Sequence, residues 1–333
     1  MSLMSMYKKV FALLAVITIA LIEVSCQRDA DKTSVIKLKK TDFTLKFAPQ
    51  DSLSFKRIID IESDPNGNIY VFDMDHSAIF KFDVKGEYQK TIYRVDQIES
   101  LDNPIISIAT ARKQMVVQRL KQLDTIDFEG NLINRIDFVG RGTVHLNNFG
   151  SVVVDRGLDA HHFNYVYHVA DENKNILSRF HLSRLGLFQN NNTDFFLSSL
   201  MDDTTMVCVA TQLDSVYLYS LGGMLLRSAS LKNERSSEYY LDFEIEDIAV
   251  SGDHFFLPRL NNDGLSEDFL FFQIIEEYNR DLQLVNVYQL PEPITLTDPL
   301  SHWYLTYHKF LYLNDRFIFA VSQPQQSIVT YKR

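Results

Sequence analysis

The stretch "AIFKFDVKGEYQKTI" (residues 78–92) has the pattern of a β-hairpin, because two apolar strands flank a polar turn that contains Gly86. Four further stretches share this layout. Aligning their turns gives Gly86, Gly130, Lys174, Gly222 and Arg280. These positions are separated by roughly 44 to 58 residues, and most of the spacings match the length of a four-stranded propeller blade. The spacing therefore predicts a repeat architecture.

A second hairpin precedes each of these five hairpins. A sixth hairpin of this preceding kind lies near the C-terminus, at residues 309–321. "SIVTYKR" (residues 327–333) then adds a third strand, after which the sixth unit has no fourth strand. "SVIKLKK" (residues 34–40) is an isolated strand ahead of the first unit and can complete the last one, since a missing strand would leave an open sheet edge. We predict an all-β fold: a six-bladed β-propeller of four-stranded blades, closed by the N-terminal strand.

The first residues have the layout of an export signal. Lys8 and Lys9 precede the uncharged run of residues 10–22, which is short for a membrane span but typical of a signal peptide. "VSC" (residues 24–26) resembles the lipobox of bacterial lipoproteins, and that resemblance implies cleavage before Cys26 and its acylation. The alternative is an ordinary secretory signal with Cys26 incidental. The predicted organisation is a signal peptide at 1–25, a tether at 26–33 and one propeller domain at 34–333.

"DPNGNIYVFDMDHSAIFKFDVKGEY" (residues 64–88) resembles the NHL-type propeller repeat. The match is good for one blade, about residues 58–94, and extends to the other blades only in hairpin layout. Together with "VSC", the sequence resembles the NHL- or TolB-like propeller lipoproteins of Bacteroidota. The resemblance implies a fold and a location in the bacterial cell envelope, at the outer membrane and either periplasmic or surface-exposed. It implies little about chemistry.

Charge and cysteine content limit the partners. The 333 residues carry a formal net charge of −10, which becomes −11 when Lys8, Lys9 and Glu23 leave with the signal peptide. An acidic surface repels phosphate backbones, so nucleic acid is not an expected partner. Cys208 is then the remaining cysteine, and the apolar run around it predicts a buried structural role. We expect a monomer whose lipid anchor contacts the membrane.

Three residues in the first unit look like metal ligands, namely Asp73, Asp75 and His76. The structural interpretation is that Asp73 ends a strand and its carboxylate ties the following loop, as Asx turns do without any metal. His161, in "DRGLDAHHFN" (residues 155–164), is a further possible ligand. The metal hypothesis places a divalent ion at the central channel, held by Asp73, His76 and His161; otherwise no cofactor is expected.

The ends of the predicted second strands fall at Asp73, Arg119, Arg156, Gln212, Arg259 and Gln323. Three arginines at equivalent positions suit a carboxylate or phosphate ligand, because guanidinium groups bind such anions through two hydrogen bonds. Arg119, Arg156 and Arg259 are therefore the candidate ligand-binding residues. The alternative is that each pairs with a nearby acid, such as Asp155, Asp159 or Asp263, and only ties loops together.

The predicted function is binding or scaffolding at the envelope without catalysis. Its ligand would be a protein, a glycan or a small anion at the rim or channel mouth. The alternative is a metal-dependent propeller hydrolase or lyase, since propellers host both classes. The sequence lacks Gly-x-Ser-x-Gly, His-Glu-x-x-His, phosphate-loop and dinucleotide motifs, so it names no catalytic residue.

Overall fold

A computed structural model describes residues 34–137, 144–148, 152–158, 165–170, 176–182, 196–210, 215–231, 247–262, 270–295, 309–321 and 327–333. Strands dominate these ranges. The N-terminal part holds β1 (Ser34–Lys37), β2 (Lys39–Lys40) and a 3-10 turn (Pro49–Asp51). One α-helix, α1 (Gln97–Asp102), lies in the described ranges. Within them no helix is long and apolar enough to cross a membrane.

The strands form six sheets. The first contains β3 (Ile58–Ser63), β4 (Ile69–Asp73), β5 (Ala78–Phe82) and β6 (Tyr88–Arg94). The second contains β7 (Ile105–Thr110), β8 (Gln114–Arg119), β9 (Gln122–Asp127) and β10 (Leu132–Asp137). The third contains β11 (Val144–Leu146), β12 (Val152–Leu158), β13 (Tyr165–Ala170) and β14 (Ile176–Leu182).

The fourth sheet contains β15 (Phe196–Leu200), β16 (Thr205–Ala210), β17 (Ser215–Ser220) and β18 (Leu225–Ser230). The fifth contains β19 (Ala249–Ser251), β20 (His254–Asn262), β21 (Leu270–Asn279) and β22 (Leu284–Thr295), with β1 added. The sixth contains β23 (Lys309–Leu313), β24 (Arg316–Val321) and β25 (Ser327–Lys332), with β2 added. The strands of each unit follow one another in sequence order and pair antiparallel.

The first strands of the sheets contact one another in turn. Strand β3 contacts β7, β7 contacts β11, β11 contacts β15, β15 contacts β19, β19 contacts β23, and β23 contacts β3. Such a closed cycle of inner strands is the arrangement of a β-propeller. The predicted all-β propeller fold is therefore confirmed.

The N-terminal segment completes the last sheet, as predicted, because β2 is its fourth strand, but the prediction that every sheet has four strands was wrong for the fifth sheet. The fifth sheet in chain order has five strands, because β1 pairs parallel with β22 at its edge. The other five sheets have four strands each. Only β2 pairs with β25 of the sixth sheet. Leu38 divides the two short strands: it is buried among core residues of the fifth and sixth sheets, and its N–H donates to the carbonyl oxygen of Gln289. Burying this one side chain places the N-terminal segment across two sheets.

The N-terminal segment continues to the first sheet. The N–H of Lys46 donates to the carbonyl oxygen of Gly86, and the N–H of Tyr88 donates to that of Lys46. Leu45 and Phe47 pack into the core cluster that β3, β4 and β5 share with β24. Residues 34–48 thus join the fifth, sixth and first sheets along their outer strands.

The core lies between neighbouring sheets. Clusters of buried side chains join the first sheet to the second, the fourth to the fifth, the fifth to the sixth, and the sixth to the first. All five residues of β4 are buried, which explains its almost continuous apolar sequence "IYVFD". Strand β4 is therefore packed along its whole length up to the loop that follows Asp73.

The antiparallel order gives the ring two different faces. The turns from first to second and from third to fourth strand lie at one end, which we call the turn face. Loops from second to third strand, and connections between sheets, lie at the other end, which we call the connection face. On the turn face, Asp64, Asp83, Asp127 and Asn279 each accept the backbone N–H groups two and four residues ahead.

The same turn position has a positive φ in several units. It is occupied by Gly67, Gly86, Gly130, Gly223 and Leu282. The structure therefore corrects the sequence alignment of these turns at two points: Gly223 and Leu282 occupy the position assigned to Gly222 and Arg280. Leu282 is buried in the core between the fourth and fifth sheets, so its packing offsets an unfavourable backbone conformation.

Candidate functional site

The candidate residues on the connection face lie where the second strands end. Asp73 is the last residue of β4, opposite Ile58, and Arg119 is the last of β8, opposite Ile105. Arg259 lies opposite Ile274 in the fifth sheet. Asp73, Arg119 and Arg259 are all buried. Buried charges need partners that replace water, so these partners define what the position does.

Asp73 holds the segment that enters its own sheet. Its carboxylate accepts the backbone N–H of Lys56 at 2.7 Å and of Arg57 at 3.3 Å, two residues that directly precede β3. It also accepts the N–H of His76 at 3.2 Å, and it lies 3.1 Å from the Nδ1 atom of that imidazole. Asp75 is half exposed and lies 4.0 Å from Arg57. This geometry agrees with the structural interpretation, in which Asp73 ends a strand and its carboxylate ties the following loop.

Arg119 acts in the same way with the opposite charge. Its Nε donates to the carbonyl oxygen of Asn103 at 2.9 Å, and its Nη1 donates to Glu99 at 2.6 Å. Both partners lie in the connection that precedes β7. The Tyr93 hydroxyl, which donates its proton to Asp124, also interacts with the Arg119 side chain. Asp73 and Arg119 are thus equivalent anchors for the segments that enter the first and second sheets.

Arg259 has a different partner. Its Nε lies 3.5 Å from a carboxylate oxygen of Glu276, which also accepts the hydroxyl of Tyr278. In the cycle of contacting first strands, the second and fifth sheets are separated by two sheets on each side. Arg119 and Arg259 are thus not brought together. Arg156 lies in β12, and its side chain is outside the described residues, so a pocket shared by the three arginines stays a prediction.

Within the described ranges, no group of three or more His, Cys, Asp or Glu side chains is placed to hold a metal ion. His161 lies outside those ranges, as do Cys26 and the predicted signal peptide and tether. The proposed metal set of Asp73, His76 and His161 therefore stays a prediction. The same is true of a lipidated Cys26. Cys208 is buried, as its apolar sequence predicted.

Helix α1 stands on the connection face beside Arg119. Asp96 caps its N-terminus by accepting the N–H of Glu99, and Lys121 bonds to Asp102 at its other end. No residue of the helix is buried. Ile98 and Leu101, at spacing i and i+3, are 84% and 87% exposed. Two large apolar side chains therefore share one solvent-facing side of a helix.

A second polar cluster lies on the inner strands, and the sequence interpretation missed it. Asp60 accepts the N–H of Ile61 and, across the sheet boundary, the N–H of Ile108. Asp247 repeats this arrangement with Ile248 and Phe310. Each carboxylate ties its own first strand to the next one in the ring. The only sequence signal is an Asp-Ile pair at equivalent positions of two distant units.

Lys309 lies between these two carboxylates, with its Nζ 3.9 Å from Asp60 and 3.8 Å from Asp247. Glu62 is next to them and accepts the hydroxyl of Thr110 at 3.0 Å. Burial, and then repulsion from Asp60, raises the pKa of Glu62 to about 8. Burial likewise raises the pKa of Asp60 and Asp247, although Lys309 opposes this. The inner ring therefore holds three carboxyl groups whose pKa values lie above their ordinary range.

His145 is the inner histidine that the structure describes. Its Nε2 lies 2.9 Å from the Ser198 hydroxyl of the next sheet. Burial and the positive charge of Lys309 lower the pKa of His145 to about 3, so the ring is neutral at physiological pH. A base with so low a pKa is poorly matched to proton transfer near pH 7. The pair is better suited to joining the third and fourth sheets.

No protein-family model matches the sequence, and no curated protein matches it. Solved structures with a similar fold include a member of the DUF4221 family from Bacteroides vulgatus, 10% identical, with a TM-score of 0.58 over 90% of this chain and 98% of that one. A Bacteroides fragilis protein described as exported is 10% identical, with a TM-score of 0.55 over 90% and 99%.

A streptogramin B lyase is 12% identical, with a TM-score of 0.52 over 89% of this chain and 97% of the lyase. At these identities the similarities show the propeller fold alone. They do not choose between a binding protein and an enzyme. The alternative of a metal-dependent hydrolase or lyase stays a prediction.

Proposed function

We propose that the protein is an envelope-anchored binding propeller without catalytic activity, whose partner docks on the connection face. In this proposal the five-stranded sheet serves as one blade of a six-bladed ring. Cys26 carries the lipid that attaches the ring to the outer membrane. A structural neighbour described as exported supports an extracytoplasmic location, and the hydrophobic segment before Cys26 supports the anchor.

The observation that carries the proposal is the exposed apolar side of α1. Burying a large aliphatic side chain is worth about 1.5–3 kcal/mol, and Ile98 and Leu101 forgo nearly all of it in the isolated protein. The helix is nevertheless held in place by a cap and by ion pairs to Arg119 and Lys121. A helix that is held in place and exposes two adjacent apolar side chains is typical of a protein-binding surface.

A photo-crosslinking amino acid at position 98 tests this proposal in the bacterium that produces the full-length protein. We expect one discrete crosslinked adduct, which disappears when Leu101→Ser is introduced into the same protein. The matched control places the crosslinker at Lys113, which is exposed on the turn face. Equal adducts from positions 98 and 113, or none from position 98, would reject the proposed docking face.

The anchor is tested separately by Cys26→Ala. We expect this variant to lose incorporation of a labelled fatty acid and to leave the membrane fraction. A Cys208→Ala variant serves as the control, because Cys208 is buried in the fourth sheet. Unchanged labelling of Cys26→Ala would disprove lipidation at this residue.

A further inference from the structure

Three positively charged side chains form a row across the outer strands of the sixth sheet. Lys332 on β25 lies directly opposite Lys39 on β2 and directly opposite Arg316 on β24. Directly opposite residues of antiparallel strands share one side of the sheet, with their Cβ atoms about 4.5–5.5 Å apart, and like charges so placed are destabilising. Arg316 is the first residue of β24, so the row lies at the turn-face end of the sheet.

No carboxylate in the described part of the chain forms an ion pair with Lys39, Lys332 or Arg316. The guanidinium of Arg316 instead lies 4.8 Å from the ring centre of Phe43, while the neighbouring Asp315 accepts the hydroxyl of Tyr312. Both lysines of the row are exposed. Their repulsion is therefore relieved best by an anion from outside the protein.

The N-terminal segment adds positive charge beside this row. Residues 35–46 contain one acid, Asp42, and four lysines, in a protein whose net charge is −10. The four lysine side chains are all exposed, namely Lys37, Lys39, Lys40 and Lys46. The sign of the surface charge is thus locally reversed where the chain enters the ring.

A turn of the first sheet, residues 83–87, extends this region. A Cβ added to Gly86 would lie 3.3 Å from the ring of Phe43, the same ring that Arg316 covers. The turn exposes Lys85 and 48% of Val84. Cations around an apolar side chain suit an anionic membrane, which offers phosphate groups above an apolar interior. The basic surface, as we call it, comprises Lys39, Lys85, Arg316, Lys332 and Val84.

The chain outside the described residues leads from this end of the ring to the proposed lipid anchor. Ser34 pairs with Asn286, two residues after β22 begins at the turn face. Cys26 precedes Ser34 by eight residues, which span at most about 29 Å when fully extended. A lipid on Cys26 would therefore keep the turn-face end of the ring close to a bilayer.

We propose that the basic surface binds the phosphate groups of anionic lipids and holds the turn face against the membrane. A lipid surface is the occupant because the anchor brings a bilayer within reach, and one acyl anchor combined with a basic patch attaches a protein more firmly than either does alone. The proposal rests on the proposed envelope anchor and deepens it, since it assigns the face that meets the bilayer. The connection face, with Ile98 and Leu101, then points away from the membrane and is accessible to a partner.

Fluorescence quenching tests this orientation in the purified protein, reconstituted into vesicles whose lipid headgroups carry a quencher. A label at Val84→Cys reports on the turn face and a label at Ile98→Cys on the connection face, while Cys208 is buried. With phosphatidylglycerol in the vesicles we expect strong quenching at position 84 and little at position 98. With phosphatidylcholine alone, or after sodium chloride is raised, quenching at position 84 should be weak, because the attraction is between charges that salt screens.

Removal of two charges from the row gives the expected magnitude. Each Lys near an anionic surface strengthens binding about fivefold, so Lys39→Gln combined with Lys332→Gln should lower the ratio of docked to undocked protein about 25-fold. Lys56→Gln combined with Lys121→Gln is the matched control. It removes the same charge from two exposed lysines of the connection face and should leave quenching at position 84 unchanged.

Equal quenching with both lipids, equal quenching at positions 84 and 98, or no effect of the Lys39→Gln and Lys332→Gln changes would overturn the proposal. Binding of inorganic phosphate without any response to phosphatidylglycerol would also overturn it, because the ligand would then be free phosphate. A purified protein that carries no fatty acid but is quenched at position 84 by phosphatidylglycerol vesicles would reject the anchor and support the basic surface. A lipidated protein without quenching at position 84 would retain the anchor and reject the basic surface.

Discussion

The two faces of the ring are built by different kinds of contact. On the turn face, Asp83 and Asp127 bond to backbone groups two and four residues ahead, so each turn is stabilised by its own sequence. On the connection face, Asp73 reaches back to Lys56, and Arg119 reaches back to Asn103. There a buried charge at the end of one strand fixes a segment from elsewhere in the sequence.

This difference indicates which face is free to change. A turn closed by local hydrogen bonds and a glycine of positive φ has few alternative conformations. A connection held by one or two contacts to a buried charge can be released while the sheets stay intact. The connection face is therefore the place where we expect binding to be coupled to movement.

The largest effect is expected at Gly130 on the turn face. Its φ is +93°, and a Cβ added there would lie 2.2 Å from the carbonyl oxygen of Ile92 in the neighbouring sheet. Gly130→Ala should lower the free energy of unfolding by about 3–4 kcal/mol, which combines a left-handed backbone with a steric clash. Urea denaturation monitored by circular dichroism measures it.

Gly252→Ala is the matched control for this variant. Gly252 also has a positive φ, of +59°, but no atom lies within 4 Å of its added Cβ. Only the backbone cost of about 1–2 kcal/mol should remain. If both variants lost the same stability, the close approach between neighbouring sheets would have no energetic role, and the turn face would depend on local conformation alone.

The next effect concerns the connection face. Asp73→Ala leaves the N–H groups of Lys56 and Arg57 without their buried acceptor, and we expect a loss of about 2–3 kcal/mol. Hydrogen exchange should accelerate most at residues 56–57 and 74–77, while the turn at Asp83 keeps its protection. Asp75→Ala, at a half-exposed site, should change stability by less than about 0.5 kcal/mol.

Uniformly faster exchange over both faces in Asp73→Ala would contradict the proposed division between them. It would mean that the anchor holds the whole sheet rather than one connection. Equal effects of Asp73→Ala and Asp75→Ala would show that the buried carboxylate is not an anchor at all.

Sequence patterns predicted the features that depend on local chemistry. The hairpin turns, the glycines at Gly86 and Gly130, and the ring of repeated units all follow from residues close together in the sequence. The split of the N-terminal strand at Leu38 was not predicted, because "SVIKLKK" alternates well enough to be one strand and only the fit of Leu38 between two sheets divides it.

The partners of the candidate residues could not be predicted for the same reason. The sequence located Arg119 at a repeat position, but the acids considered for the arginines were Asp155, Asp159 and Asp263. The partner that the structure shows is Glu99, on a helix of six residues that is too short for its apolar spacing to reveal it. Asp60 and Asp247 were missed because their bonds cross sheet boundaries, which one unit alone does not display.

The smallest expected effect is a pH dependence from Glu62, at the end of β3 next to the turn face. Its pKa of about 8 in the folded protein is above the ordinary value of 4.5, so the folded state keeps a proton that the unfolded state releases. Its contribution is therefore fully present below about pH 4.5 and is lost as pH rises through 8. Repulsion from Asp60 and Asp247 also raises the pKa of Glu62, whereas the positive charge of Lys309 and the hydrogen bond from the Thr110 hydroxyl lower it.

Glu62→Gln removes this titration while it keeps an acceptor for Thr110. Between pH 5 and pH 8 the natural protein should lose about 1–2 kcal/mol more than the variant, less than the full pKa difference implies, because Glu62 is only partly buried. Denaturation curves at both pH values measure the difference, with exposed Glu87→Gln as the control. A natural protein and a Glu62→Gln variant with the same pH slope would show that water reaches Glu62. The inner ring would then behave as an open channel, and its carboxyl groups would be as available to ligands as those of the connection face.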